Sequence, residues 1–115
     1  MRNSNPYAYL MHMKDAAEAV IAYATANDFE HFETDNWDQA AAIRNLEIIG
    51  EAATNISSEF RKEHDTIPRQ DIIDFRNVAI HDYMEVDTNI IWDIIKNDIP
   101  PLIEQLNVLL EKNDN

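Results

Sequence analysis

The chain has 115 residues, a hydrophobic fraction of 45% and a formal net charge of −13. This length predicts one domain with a single core, and the hydrophobic fraction argues against an intrinsically disordered chain. The acidity argues against a protein that coats RNA or DNA non-specifically, so any phosphate site must be local. It is compatible with a basic protein partner, or simply with a charged and well-solvated surface.

The sequence contains no cysteine, which excludes disulfides and thiolate metal sites. No apolar stretch approaches the ~20 residues of a membrane span, and no signal peptide is visible. We therefore expect a cytoplasmic protein that has no membrane partner. No Glu-x-x-His pair of the di-metal bundle type is present, so no metal site is expected. Residues 1–115 should form a single domain, with 1–5 and 111–115 as flexible ends.

Apolar residues recur at three- and four-residue spacing through nearly all of the chain, which predicts an all-α fold. The first helix should begin at Asn5-Pro6, because proline is tolerated in a first helical turn. Residues 27–36 are expected to form a connecting loop. The predicted buried face of the first helix is Leu10, Met13, Ala17, Val20 and Ala24.

A second, long helix is predicted to begin at Asp35 or Asn36, either of which can cap it, and to end within residues 61–68. Gly50 lies in its apolar stripe. Because a mid-helix glycine costs about 1 kcal/mol relative to alanine, we expect another helix backbone to approach closely there. The complete predicted stripe is Ile43, Leu46, Gly50, Ala53, Ile56 and Phe60.

A third, shorter helix should run from about Arg69 to His81 or Tyr83. A last helix should begin near Asp87-Thr88, and Pro100-Pro101 should kink it or break it in two, because proline lacks the N–H and clashes with the preceding turn. Its predicted buried residues are Ile91, Ile95, Leu102, Leu106 and Leu109. Together these elements predict an antiparallel bundle of four or five helices.

Polar side chains interrupt the predicted third helix near its end. Asn77 and His81 lie one turn apart, and Arg76 aligns with Tyr83 on a neighbouring stripe. An arginine fork matches phosphate oxygens and an imidazole can transfer a proton near neutral pH. This group therefore suits cleavage of RNA, whose 2′-hydroxyl supplies the nucleophile. A structural alternative stays open, in which His81 caps the helix and Arg76 pairs with a nearby aspartate.

The segment 75–83, FRNVAIHDY, resembles the R-x4-H-x-Y signature of the HepT ribonuclease toxins, which are members of the HEPN superfamily. Residues 42–53 resemble the second-helix block of the same family, 67–68 resemble the entry to its third helix, and 91–100 resemble its last helix. These segments follow the family's order and separations. The resemblance spans residues 7–110.

The resemblance implies a HEPN-type helical bundle and a homodimer whose composite cleft is a metal-independent endoribonuclease site. Arg76 and His81 would form the catalytic pair, Asn77 would support it, and RNA cleavage would need no cofactor. Tyr83 would accept AMP from a minimal nucleotidyltransferase antitoxin, which would be the enzyme that uses ATP and Mg²⁺. Asp82 stands where many relatives have glycine, a departure that could shift Tyr83 or add a negative charge beside the RNA.

Arg44 and Glu51 lie near the cleft in the family pattern, where they could contact substrate or orient the catalytic pair. An intrahelical ion pair or a dimer contact is the alternative. Two other functions stay open for the chain as a whole. One is a non-catalytic HEPN module that binds a nucleotide or the nucleotidyltransferase, and the other is a purely structural helical dimer.

Several aromatic residues could stack on RNA bases, although core or interface packing is the simpler interpretation. Three histidines outside the motif are isolated in the sequence, and we expect them at the surface. The aromatic residues are Tyr7, Tyr9, Trp37 and Trp92, and the histidines are His12, His31 and His64.

Overall fold

The computed structural model describes residues 5–56, 58–63 and 87–112. Within these ranges every regular element is helical, as the apolar spacing predicted. The elements are α1 (Pro6–Ala26), α2 (Phe29–Thr34), α3 (Asn36–Thr54), α4 (Ser58–Glu63), α5 (Thr88–Asp93), a π-helical turn (Ile94–Asp98) and α6 (Ile99–Lys112). The third helix predicted from about Arg69 lies outside the described residues.

Helix α1 begins where the sequence predicted. The Asn5 side chain accepts a hydrogen bond from the Tyr7 N–H at 3.0 Å, and Pro6 occupies the first turn. All of the predicted face is buried, and Ala16 joins it. At the other end the Asn27 side chain donates to the Tyr23 carbonyl at 3.1 Å. This bond satisfies a terminal carbonyl that the helix itself leaves free.

The prediction of a loop over residues 27–36 was wrong in part, because α2 lies within it. Asp28 caps this helix, and its Oδ1 accepts from the His31 N–H at 2.9 Å. Phe32 is fully buried and attaches the helix to the core. A six-residue helix contains too few apolar positions to show a periodic pattern, so burial of one aromatic ring stabilises it.

Helix α3 is capped by Asp35, whose Oδ1 accepts from the Asp38 N–H at 3.0 Å. It ends at Thr54, earlier than predicted. The Thr54 hydroxyl and the Asn55 amide both donate to the Glu51 carbonyl, at 2.8 and 2.9 Å. Such side-chain bonds to the backbone compete with continuation of a helix. The chain then resumes as the separate helix α4.

The predicted stripe of the second helix is largely confirmed, although it is divided between α3 and the residues that follow. Ile43 is only partly buried, which the apolar spacing did not predict. Gly50 is buried, and α3 packs on α1, but close backbone approach at Gly50 stays a prediction. The buried members of the stripe are Leu46, Gly50, Ala53, Ile56 and Phe60.

Asp87 caps the first of the C-terminal helices, and its Oδ1 accepts from the N–H groups of Asn89 and Ile90. The irregularity predicted at Pro100-Pro101 takes the form of the π-helical turn just before them. There the Ile99 N–H donates to the carbonyl of Ile94, five residues earlier. The helical course therefore continues to Lys112, two residues into the segment expected to be a flexible end. All predicted buried residues of this region are buried.

A ring contact and a hydrogen bond at opposite ends of α1 show how α1 and α3 run relative to each other. Tyr7, at the start of α1, packs edge-on against Phe60 beyond the end of α3, with ring centroids 5.6 Å apart. Tyr23, near the end of α1, hydrogen-bonds to Asp38 at the start of α3. Helices α1 and α3 are therefore antiparallel, and α6 packs along α1 to close the core. None of the described helices combines the length and apolar composition needed to cross a membrane.

Candidate functional site

The residues that the sequence predicted for catalysis and modification lie outside the described residues. These are Arg76, Asn77, His81 and Tyr83, together with the neighbouring Asp82. Their roles stay predictions. The polar groups that the structure does describe form two clusters, one along α3 and the other where α1, α2 and α3 meet.

The first cluster contains both predicted cleft residues, Arg44 and Glu51, on the exposed face of α3. Arg44 Nη1 lies 2.8 Å from Glu47 Oε1 and 3.6 Å from Glu51 Oε1. The structure therefore shows the intrahelical ion pair that was one of the alternatives. The hydrogen bond to Glu47 raises the pKa of the guanidinium above its ordinary value, and the nearby carboxylate charges add to this effect. Arg44 thus stays charged, and as an exposed pair it adds little to stability.

Both ion pairs use the same nitrogen of Arg44, and the side chain is 61% exposed. A guanidinium offers five N–H donors in a planar fork, so these contacts leave donors that a phosphate could use. Glu47 and Glu51 would repel that phosphate. An arginine in this setting suits orientation or a weak electrostatic contribution better than tight phosphate binding.

The second cluster joins three elements through short polar contacts. The Tyr23 hydroxyl of α1 donates to Asp38 Oδ2 of α3 at 2.6 Å. His31 Nε2 of α2 lies 3.0 Å from that same oxygen and 3.8 Å from Asp35 Oδ2. Burial raises the pKa of the Tyr23 phenol well above its ordinary value, and the hydrogen bond to Asp38 and the surrounding carboxylates raise it further. The phenol is therefore a permanent donor at neutral pH.

Sequence reasoning missed this second cluster. His31 was expected to be an isolated surface residue, and it is exposed but not isolated. The signal that could have revealed part of it is the four-residue spacing of His31 and Asp35, which is helical. Asp38 belongs to the next helix, so spacing alone does not predict its contact with His31. His12 is exposed and lies edge-on to the Tyr9 ring. His64 lies outside the described residues.

The aromatic residues divide between packing and exposure. Tyr7 packs on Phe60, Trp92 packs on Phe29 and Phe32, and Tyr9 is partly buried against the core, so the packing interpretation is confirmed for these three. Trp37, in contrast, is 87% exposed and does not belong to the core of this chain.

The family model for "Ribonuclease HepT-like" proteins matches residues 13–109. The chain belongs to the HepT-like ribonuclease family. This match confirms the resemblance that the motif and the helical blocks indicated. It also spans residues 76–83, so the HepT-like match includes the whole R-x4-H-x-Y segment.

Curated relatives agree with this assignment. The HepT-like chain is 38% identical over 107 residues to "Putative RNase TTE0752" of Caldanaerobacter subterraneus. The aligned residues make up 93% of this chain and 96% of the relative. It is 39% identical over 94 residues to "Probable ribonuclease HepT" of Thermococcus cleftensis. The aligned residues make up 82% of this chain and 86% of that relative.

A longer relative also matches. "Gamma-glutamylcyclotransferase and putative RNase MJ0434" of Methanocaldococcus jannaschii is 35% identical over 106 residues, which make up 92% of this chain and 48% of that protein. No solved structure matches the chain.

Proposed function

We propose that this HepT-like chain is a metal-independent endoribonuclease and the toxin of a HEPN/minimal nucleotidyltransferase toxin–antitoxin pair. The observation that carries the proposal is the family match over residues 13–109, within which the sequence reads R-x4-H-x-Y at 76–83. The ribonuclease names of the relatives support the same activity.

In the proposed reaction His81 takes the proton from a ribose 2′-hydroxyl, whose oxygen then attacks the adjacent phosphorus. The P–O5′ bond breaks, and the departing 5′ oxygen takes a proton from water. Arg76 stabilises the negative charge that develops on the phosphoryl oxygens, and Asn77 supports it by hydrogen bonding. The nucleophile belongs to the RNA itself, so the step requires no cofactor.

The net charge of −13 is the main obstacle to an RNA-cleaving function, since it repels the substrate. A homodimer with a composite cleft would place two copies of Arg76 at one phosphate and offset this charge locally. Light scattering should therefore give about twice the chain mass of 13.3 kDa. The chain mass itself, at micromolar concentration, would contradict the composite site.

We further propose that Tyr83 is the acceptor of AMP from the antitoxin, which uses ATP and Mg²⁺. An AMP group there would add negative charge and a bulky nucleoside to the cleft, pair with Arg76 and exclude RNA. Asp82 is the residue that opposes this reaction, because its carboxylate repels a triphosphate unless Mg²⁺ neutralises the charge.

The decisive experiment uses partner-free protein and mixed RNA in the presence of EDTA. Wild type should cleave, and Arg76→Ala and His81→Ala should each lose at least ~100-fold in rate, because each removes transition-state stabilisation or proton transfer. His12→Ala is the matched control, since His12 is an exposed histidine on α1, and it should cleave like wild type. Circular dichroism should show the same helical content in all variants.

Two outcomes would contradict the proposal. If both motif variants cleave like wild type, the catalytic assignment is wrong. If wild type is inactive on every RNA while still associating with a nucleotidyltransferase, the chain is the non-catalytic binding module. Arg44→Ala adds a third measurement, in which an orienting role predicts a loss well below that of Arg76→Ala.

A further inference from the structure

The contact between α2 and the start of α3 brings together an imidazole and two carboxylates that the proposed ribonuclease reaction does not use. These are His31, Asp35 and Asp38. One nitrogen or oxygen from each lies within 4.8 Å of those of the other two. We propose that the three side chains form a binding site for a first-row transition-metal dication, with Zn²⁺ as the best-fitting ion.

The distances between these atoms fit a small metal ion. Zn²⁺ binds nitrogen and oxygen ligands at about 2.0–2.2 Å, so a tetrahedral site needs ligand atoms about 3.4 Å apart. His31 Nε2 lies 3.0 Å from Asp38 Oδ2 and 3.8 Å from Asp35 Oδ2. The two distances lie on either side of the ideal value. The two carboxylate oxygens lie within 4.8 Å of each other, so side-chain rotations can bring all three atoms to the spacing that the ion needs.

Two of the ligands are already oriented by other bonds. Asp35 uses Oδ1 to cap α3, accepting from the Asp38 N–H at 3.0 Å, and this leaves Oδ2 for a ligand. Asp38 accepts from the Tyr23 hydroxyl at 2.6 Å. Metal-binding carboxylates are typically held by such second hydrogen bonds, which fix their direction. Here the supporting phenol comes from α1, so the core of the bundle holds the site in place.

The local charge favours a cation. Residues 28–38 contain five carboxylates, no lysine and no arginine. A dication would neutralise Asp35 and Asp38, whose negative charges repel each other across the cluster. The three side chains are 51%, 36% and 27% exposed, so an ion can enter from solvent and keep water at its remaining positions.

The imidazole determines which ion fits best. Mg²⁺ and Ca²⁺ prefer sites made of oxygen alone, whereas imidazole nitrogen favours Zn²⁺, Ni²⁺ or Cu²⁺. The site is separate in sequence from the residues proposed to cleave RNA. Zn²⁺ bound there would link α2 to the start of α3, as a structural or regulatory ligand, and the proposed RNA cleavage does not require it.

The test is calorimetric titration of the full-length, chelator-treated protein with Zn²⁺ alone. Wild type should bind one Zn²⁺ per chain, and Mg²⁺ or Ca²⁺ in excess should not displace it. His31→Gln should weaken binding at least ~10-fold, since loss of even a supporting partner of a metal ligand has effects of that size. Asp35→Asn and Asp38→Asn should weaken it as well. Asparagine still caps a helix, so Asp35→Asn should remain folded.

The matched control is His12→Gln, which removes an exposed histidine from α1 and should bind Zn²⁺ like wild type. Three outcomes would overturn the proposal: no Zn²⁺ binding by wild type, equal weakening in the two histidine variants, or several weakly bound ions that persist in His31→Gln. The last result would show an adventitious ion only. Because metal binding is the readout, none of these outcomes depends on ribonuclease activity.

Discussion

Replacing Phe32 with alanine should reveal how much of the fold depends on α2. The ring is fully buried, and it packs against Tyr23 of α1 and Trp92 of α5, with ring centroids 6.0 and 5.3 Å away. Phe32 thus contacts two other elements from within a six-residue helix, and it is the fully buried residue of that helix. Its removal eliminates both aromatic contacts and opens a cavity beneath α2.

The expected loss follows from the size of the cavity and from how far it can collapse. Replacing a buried phenylalanine with alanine costs about 3–5 kcal/mol, including the cavity. Because α2 is short and lies at one end of the bundle, it can settle partly into the gap, so we expect about 3 kcal/mol. For a domain of this size that loss lowers Tm by roughly 10–20 °C.

Urea denaturation followed by circular dichroism measures this loss directly. Trp37→Ala is the matched control, because it also removes a large aromatic ring from this region, but one that is 87% exposed. It should change the free energy of unfolding by no more than about 0.5 kcal/mol. If Phe32→Ala lowers the free energy of unfolding by less than about 1 kcal/mol, and the slope of that free energy against urea concentration is unchanged, the packing described for Phe32 is wrong.

Two further predictions concern a helix cap and the modification site. Asp87→Ala should lower the free energy of unfolding by about 1 kcal/mol, because the carboxylate accepts from two N–H groups of α5. Asp87→Asn should retain most of the stability that the cap provides. Urea denaturation distinguishes the two variants. Protein co-expressed with its nucleotidyltransferase should carry AMP that mass spectrometry detects and that disappears in Tyr83→Phe. Tyr9→Phe is the control and should carry AMP like wild type. AMP additions that persist in Tyr83→Phe would place the modification elsewhere.

The sequence predicted best those elements that are long and carry a visible cap. In α1 and in α5–α6, apolar residues repeat over many turns, and Asn5 and Asp87 stand where a cap is needed, so both starts and both buried faces were correct. The family assignment was also correct, because the motif, two helical blocks and the entry to the third helix resemble the family in order. The catalytic assignment of Arg76 and His81 stays a prediction.

The errors have a common physical origin, since apolar spacing does not report hydrogen bonds made by side chains to the backbone. The stripe continues past Asn55 without interruption, so spacing alone predicted one long helix. Yet Thr54 and Asn55 turn to the Glu51 carbonyl and end α3 there. In the same way, the capping bond from Asp28 begins α2 inside a segment that lacks periodicity. Both of these side-chain hydrogen bonds depend on local rotamers, which the spacing of apolar residues does not show.

An isolated helix of six residues is unstable in water, so the position of α2 must come from its neighbours. Besides the burial of Phe32, the amide of Gln39 donates to the carbonyls of Phe32 and Glu33 at 3.0 Å each, which satisfies groups that a helix end leaves free. These contacts also position His31, one residue before Phe32. Phe32→Ala should therefore weaken Zn²⁺ binding as well as stability, whereas Trp37→Ala should change neither. A Phe32→Ala protein that binds Zn²⁺ like wild type would show that the carboxylates, and not α2, organise the metal site.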